Sequence, residues 1–153
     1  MKFDGVCLFI GVIGSFIASM FGGWDSALTT LVIFMGIDYL TGLLVAGVFH
    51  ASDKTEGGTL ESRAGWKGLC RKGVSLLIVL VACRLDLIIG GVGNGSTFIR
   101  DACIIGFVTN EAISIIENAG LMGIPIPSVI LKGIDVLKKK SDESEGGTNG
   151  NDS

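Results

Sequence analysis

Hydrophobic and polar positions separate along this chain into long apolar runs joined by short polar connectors. Four apolar runs stand out, at Val6–Trp24, Ser26–Phe49, Val74–Gly93 and Thr97–Asn118. The second contains 24 residues, of which only Asp38 is charged. As a helix rising about 1.5 Å per residue, it is long enough to cross the roughly 30 Å hydrocarbon layer of a bilayer. The pattern predicts an all-α integral membrane bundle of about four transmembrane helices.

The chain changes character after the fourth run. Two prolines within Ala119–Pro127 prevent a regular helix there. Ser128 is a suitable N-cap for an amphipathic helix over residues 128–140, which we expect to lie on the inner membrane surface. Residues 141–153 contain no apolar side chain and are predicted to form a disordered tail. Residues 1–140 would then form a single transmembrane domain.

Composition and charge placement agree with a membrane protein. Hydrophobic residues make up 48% of the chain, charged residues make up 18%, and the mean hydropathy is +0.62. Ten of the twelve lysines and arginines lie before the first run, in the connector His50–Gly73 or beyond the fourth run. The positive-inside rule therefore places both termini and this connector on the cytoplasmic side of a multi-pass protein.

The first run has two interpretations. Gly11, Ser15 and Ser19 recur at every fourth residue and form a small-residue stripe that favours close packing of helices. The run also follows Lys2 and has small residues near its end, which fits a cleaved signal peptide. We favour a retained span because a second apolar run follows at once, but the sequence leaves cleavage open.

Several charges fall inside the apolar runs, where an ionised side chain is costly. Asp38 and Arg84 lie at nearly equal distances from the connector ends of their two runs. As helices, these runs would place Asp38 about 16 Å deep and Arg84 about 15 Å deep. The two runs are antiparallel, so we predict an ion pair between Asp38 and Arg84, and a second between Asp86 and Arg100.

The fourth run also carries Glu111 and a row of small or polar residues at every fourth position, namely Ala102, Gly106, Asn110, Ser114 and Asn118. Gly106, Asn110 and Ser114, with Gly42 of the second run, are candidate helix-packing positions. Three interpretations stay open. The polar groups hold one bundle together, or they face a neighbouring subunit or an aqueous lumen after assembly, or they form a dedicated ion pathway.

Catalysis and metal binding are not predicted. The chain has one histidine, His50, and its four cysteines form no CxxC pair. The glycines that end the third run do not open a strand–turn–helix unit that could cradle a phosphate. We therefore expect neither an enzyme nor a cofactor or metal site, and no nucleic-acid partner.

Five short blocks resemble the toxin-secretion/phage-lysis holin family. They occur in the family's order between Met35 and Lys140, and they are Asp38–Gly42 (DYLTG), Gly65–Leu69 (GWKGL), Arg84–Asp86 (RLD), Asn110–Asn118 (NEAISIIEN) and Gly123–Pro127 (GIPIP). Each block is short, and it is their common order that makes the resemblance specific. The acidic, glycine-rich segment Asp53–Glu61 departs from the family pattern, and the first run matches no family motif.

The resemblance implies a small bacterial or prophage protein that forms homo-oligomers in the cytoplasmic membrane and opens lesions. The lesions would release an endolysin, or in some relatives a toxin, and lead to host cell lysis. In that mechanism Asp38, Arg84, Asp86, Arg100 and Glu111 would be paired in the closed bundle and exposed to water in the pore. Two alternatives remain: an antiholin that restrains a holin, and a small channel or transporter subunit.

Overall fold

The structure is a computed structural model that describes residues 2–51, 62–90 and 97–146. These ranges contain five α-helices and no strand: α1 (Lys2–Met20), α2 (Ser26–Leu44), α3 (Ser62–Gly90), α4 (Phe98–Leu121) and α5 (Ser128–Gly146). A π-helical turn, Val45–Phe49, extends α2 without a break. The predicted all-α fold is confirmed.

The hydrophobic core lies where α2, α3 and α4 meet. Six buried side chains form it: Leu28, Leu31, Met35, Val79, Ile104 and Val108. α4 contacts α2, α3 and α5, which makes it the central helix of the described chain. Polar side chains on α4 can therefore meet partners from several helices.

The turn between α1 and α2 depends on glycine. Gly22 and Gly23 have φ values of 78° and 105°, a region that side-chain-bearing residues rarely enter. Asp25 then begins α2 as its N-cap, because Oδ1 accepts the Leu28 N–H at 2.9 Å. The helix of the first run consequently ends at Met20, before the predicted limit at Trp24.

Apolar side chains cover the outside of the bundle. Leu8 of α1 is 70% exposed and Ile88 of α3 is 77% exposed, and many other large apolar side chains of α1, α2, α3 and α5 are exposed as well. Extensive exposure of large apolar side chains is typical of a membrane or partner contact. Ser26–Phe49 and Ser62–Gly90 are the helices of the described chain that are long and apolar enough to span a membrane. Membrane crossings by α1 and α4 remain predictions.

α3 is longer than the hydropathy pattern indicates. It begins at Ser62, whereas the pattern predicts a polar loop as far as Gly73. The added segment contains arginine, lysine and leucine, which favour helix, and hydropathy detects only the apolar part of a continuous helix. The end of the predicted third span, residues 91–93, lies outside the described residues.

α5 is also longer than predicted, and it packs on α4. The helix continues to Gly146, so the prediction of a disordered tail from residue 141 is wrong for its first residues, while 147–153 lie outside the described residues. The Ser141 hydroxyl lies 3.5 Å from where a Cβ on Gly106 would stand, and Leu137 packs against the core. These contacts order the helix end. Its position at a membrane surface remains a prediction.

Candidate functional site

Three helices bring opposite charges together around Lys72. The Lys72 Nζ of α3 lies 2.7 Å from Asp38 Oδ2 of α2, and it also contacts Glu111 Oε2 of α4. Asn118 of α4 donates from Nδ2 to Asp38 Oδ1 at 3.1 Å and to Thr41 Oγ1 at 3.0 Å. We call these five residues the Lys72 cluster.

The Lys72 cluster is nearly sealed from solvent. The side chains of Lys72, Asp38 and Glu111 are 13%, 11% and 9% exposed. Removing charges from water is costly, and their mutual attraction with added hydrogen bonds offsets that cost only while every partner is present. One cation here contacts two carboxylates, so Lys72 is the residue on which the cluster depends.

A second group of charges joins the start of α2 to the start of α4. The Arg100 side chain is 2% exposed, and its Nη1 lies 2.7 Å from Asp25 Oδ2 and 3.1 Å from Asp101 Oδ1. The hydrogen bond from Arg100 lowers the pKa of Asp25 below its ordinary value. Because Asp25 also caps α2, this pair fixes the α1–α2 turn against α4.

Asp86 of α3 caps the N-terminus of the neighbouring helix α4. Its carboxylate accepts the Ile99 N–H at 3.0 Å and the Arg100 N–H at 2.8 Å. Thr97, at the N-cap position, makes no side-chain capping bond and instead donates to Asp101 at 2.8 Å. Asp86 therefore supplies the cap that Thr97 does not, and it ties α3 to α4.

We expect Asp86→Ala to lower the free energy of unfolding by about 2 kcal/mol, because it leaves two helix-terminal amides without an acceptor. Asp86→Asn keeps one acceptor oxygen and should lose less. Denaturation in mixed detergent micelles measures both, with Asp135→Ala on the exposed face of α5 as the matched control. Equal effects of Asp86→Ala and the control would contradict the capping role.

Both predicted ion pairs are wrong in their partners. Arg84 donates from Nη2 to the Met20 carbonyl oxygen at 2.9 Å, while Asp38 binds Lys72 and Asn118. Asp86 contacts the backbone of Arg100 and not its guanidinium. The Asp38–Arg84 pairing assumes that α3 begins at Val74. The helix begins earlier, at the start of the connector's basic segment, which shifts the depth-matched position toward Lys72.

The predicted packing residues fall into two groups. Gly42 lies beside Asn118, whose Nδ2 is 3.8 Å from where a Gly42 Cβ would stand. Gly11, Ser15 and Ser19 lie on an exposed face of α1, and nothing lies within 4 Å of a Cβ built on Gly11. Gly42 is thus used inside the bundle, whereas the α1 stripe faces outward.

Two neighbouring cavities lie between α3 and α4, and Ser141 of α5 also lines the second. They share Asn110 and have volumes of about 440 Å³ and 560 Å³, and we call them together the polar groove. Four of the five residues of the row found in the sequence line the groove from α4, namely Ala102, Gly106, Asn110 and Ser114. α3 contributes a second row, namely Arg63, Lys67, Arg71 and Ser75. Asp38, Lys72 and Glu111 line its first cavity.

The groove offers no metal chemistry among the described residues. No group of three or more histidine, cysteine, aspartate or glutamate side chains within residues 2–51, 62–90 and 97–146 is placed to hold a metal ion. Lys72, Asn118 and Asp25 are not among the predicted site residues, although Asn118 closes the α4 row. One feature of the sequence could have identified Lys72: Asp38 and Glu111 are carboxylates within apolar runs, and each needs a nearby cation.

Comparison with known proteins identifies the family. The bacteriophage holin family matches residues 15–139. A probable holin of Bacillus phage phi105 is 34% identical over 107 residues, covering 70% of each chain. An uncharacterised protein of Clostridium perfringens is 33% identical over 89% of this chain and 94% of its own. An uncharacterised protein of Listeria monocytogenes is 36% identical over 92% of this chain and 93% of its own.

No solved structure matches the chain significantly. The family match extends from the second half of α1 into α5, so it includes the Lys72 cluster and the residues of α3 and α4 that line the polar groove. Family membership and the apolar helices indicate a membrane protein. The chain belongs to the bacteriophage holin family.

Proposed function

We propose that this protein is a holin of the bacterial cytoplasmic membrane. It accumulates with both termini in the cytoplasm, self-associates and opens lesions through which an endolysin, or a secreted toxin, leaves the cell. The observation that carries the proposal is the family match over residues 15–139, together with similarity to a probable phage holin.

The polar groove supports a route for water. Small and polar residues of α4 line it beside Phe107, and the three charged residues of the Lys72 cluster lie along its wall. In the closed bundle Lys72 forms ion pairs with both Asp38 and Glu111. When subunits assemble, the groove would line an aqueous lumen, where each charge is stabilised by water and the three-way pairing is no longer needed.

The stripe on α1 supports self-association. Gly11, Ser15 and Ser19 lie exposed on a helix that otherwise presents large apolar side chains. Small residues allow two membrane helices to approach closely, and packing is the main attraction between helices in lipid. We assign this face of α1 to contacts between copies of the chain.

Inducible expression of the full chain in a bacterium tests the function. We expect normal growth, then an abrupt loss of membrane potential, with lysis only when an endolysin is co-expressed. A vector without the chain is the control. Unchanged potential combined with delayed lysis by a co-expressed holin would identify an antiholin instead. Ion-selective uptake without killing would identify a channel.

A further inference from the structure

Three basic side chains repeat along one face of the first half of α3. Arg63, Lys67 and Arg71 occur at every fourth position, so they project from the same side of the helix. All three are exposed, and all three line the cavity of about 440 Å³ at one end of the polar groove. Within the described part of the chain, none of them forms an ion pair with a carboxylate.

The cavity carries an excess of positive charge. Its lining contains four cations, Arg63, Lys67, Arg71 and Lys72, against two carboxylates, Asp38 and Glu111. Both carboxylates are already bound to Lys72. The three outer cations are therefore available for an anion that the described residues do not supply.

The location of these cations favours a lipid phosphate. Trp66 precedes Lys67 and is 67% exposed, and an exposed indole on a membrane helix prefers the level of the headgroups. The proposed topology, which follows the positive-inside rule, puts this end of α3 on the cytoplasmic side. The phosphates of the cytoplasmic leaflet lie at that level, and guanidinium groups match phosphate oxygens in geometry as well as charge.

We propose that Arg63, Lys67 and Arg71 form a binding site for the phosphate of an anionic phospholipid at the cytoplasmic end of the polar groove. The proposal goes beyond the holin function and does not depend on lysis. A bound headgroup would occupy the mouth of the cavity that leads to the Lys72 cluster, so local lipid composition would influence access of water to the cluster.

Lipid titration of the purified full chain tests the site. The chain in neutral detergent is titrated with dioctanoyl phosphatidylglycerol, dioctanoyl phosphatidylcholine or inorganic phosphate, and binding is followed by native mass spectrometry and thermal stabilisation. We expect phosphatidylglycerol to bind most tightly. The double variant Lys67→Gln/Arg71→Gln should bind it about 30-fold more weakly, since each basic residue near a headgroup contributes roughly a fivefold to tenfold effect.

Two further variants make the result decisive. Lys138→Gln/Lys139→Gln removes the same charge from α5, outside the cavity, and should change phosphatidylglycerol binding less than about twofold, since these residues do not line the site. Lys67→Arg should retain binding. An equal loss in the α5 variant would show general charge attraction and overturn the site. Equal binding of phosphatidylcholine, tighter binding of inorganic phosphate, or no binding of phosphatidylglycerol would overturn the lipid assignment.

Discussion

Lys72→Met is expected to lower the free energy of unfolding by about 3–5 kcal/mol, the usual effect of removing one partner from a buried ion pair. The substitution leaves Asp38 and Glu111 facing each other in a nearly sealed part of the bundle. Methionine keeps the length of the side chain, so the loss reports charge and not volume. Unfolding in mixed micelles of increasing denaturing detergent measures it.

The matched control is Lys67→Met, one turn and one residue earlier on the same helix. Lys67 is exposed and makes no ion pair with a described carboxylate, so the free energy of unfolding should change by less than about 0.5 kcal/mol. If the two variants were equally stable, Lys72 would not be the residue that holds α2, α3 and α4 together.

Neutralising the whole cluster is expected to separate stability from function. In Asp38→Asn/Lys72→Met/Glu111→Gln none of these three positions keeps an unpaired charge, so the free energy of unfolding should return to within about 1 kcal/mol of the unmodified chain. Lysis should nevertheless be abolished or strongly delayed. In the proposed mechanism, the open state gains stability over the closed one when water reaches the three charges, and the neutral triple variant would lack that difference.

A second neutralised set provides the control for this experiment. Asp135→Asn/Lys138→Met/Glu143→Gln makes the same three changes on exposed positions of α5 and should lyse on the normal schedule. Lysis timing is followed by culture density with a co-expressed endolysin, and protein level by immunoblot. Normal lysis by the Asp38/Lys72/Glu111 triple variant would show that the charges of the Lys72 cluster are not needed for lysis and that the cluster serves packing alone.

The apolar pattern predicts the helices well where they are uniformly hydrophobic. The second run matches α2 with its π-helical turn at both ends, and Ser128 does begin α5. Polar helical segments escape detection because helix propensity is a weak signal beside hydropathy. The pattern therefore assigns residues 62–73 to a loop and residues 141–146 to a disordered tail, and both are helical in the structure.

The error in the charge pairing follows from the same helix boundary. α3 begins at Ser62 and the extension of α2 ends at Phe49, and these are the two helix ends that meet the connector. Lys72 and Asp38 each lie about three helical turns, or about 15 Å, from these helix ends. Depth matching is a sound rule, and with the correct boundary it selects Lys72. Depth matching cannot predict the role of Asp86. A carboxylate caps a neighbouring helix only if the two helix ends meet in space, and depth along each helix does not give that information.

In the proposed mechanism, the polar groove between α3 and α4 fills with water when the lesion opens. Cys103 lines the second cavity of the groove and is a native reporter. In a chain that retains Cys103 as its sole cysteine, N-ethylmaleimide should label it only after the membrane potential collapses. With Ile88→Cys as the sole cysteine, on the apolar outer face of α3, labelling should stay low throughout. If Cys103 stays unlabelled after the membrane potential has collapsed, the result would contradict a water-filled groove in the open lesion.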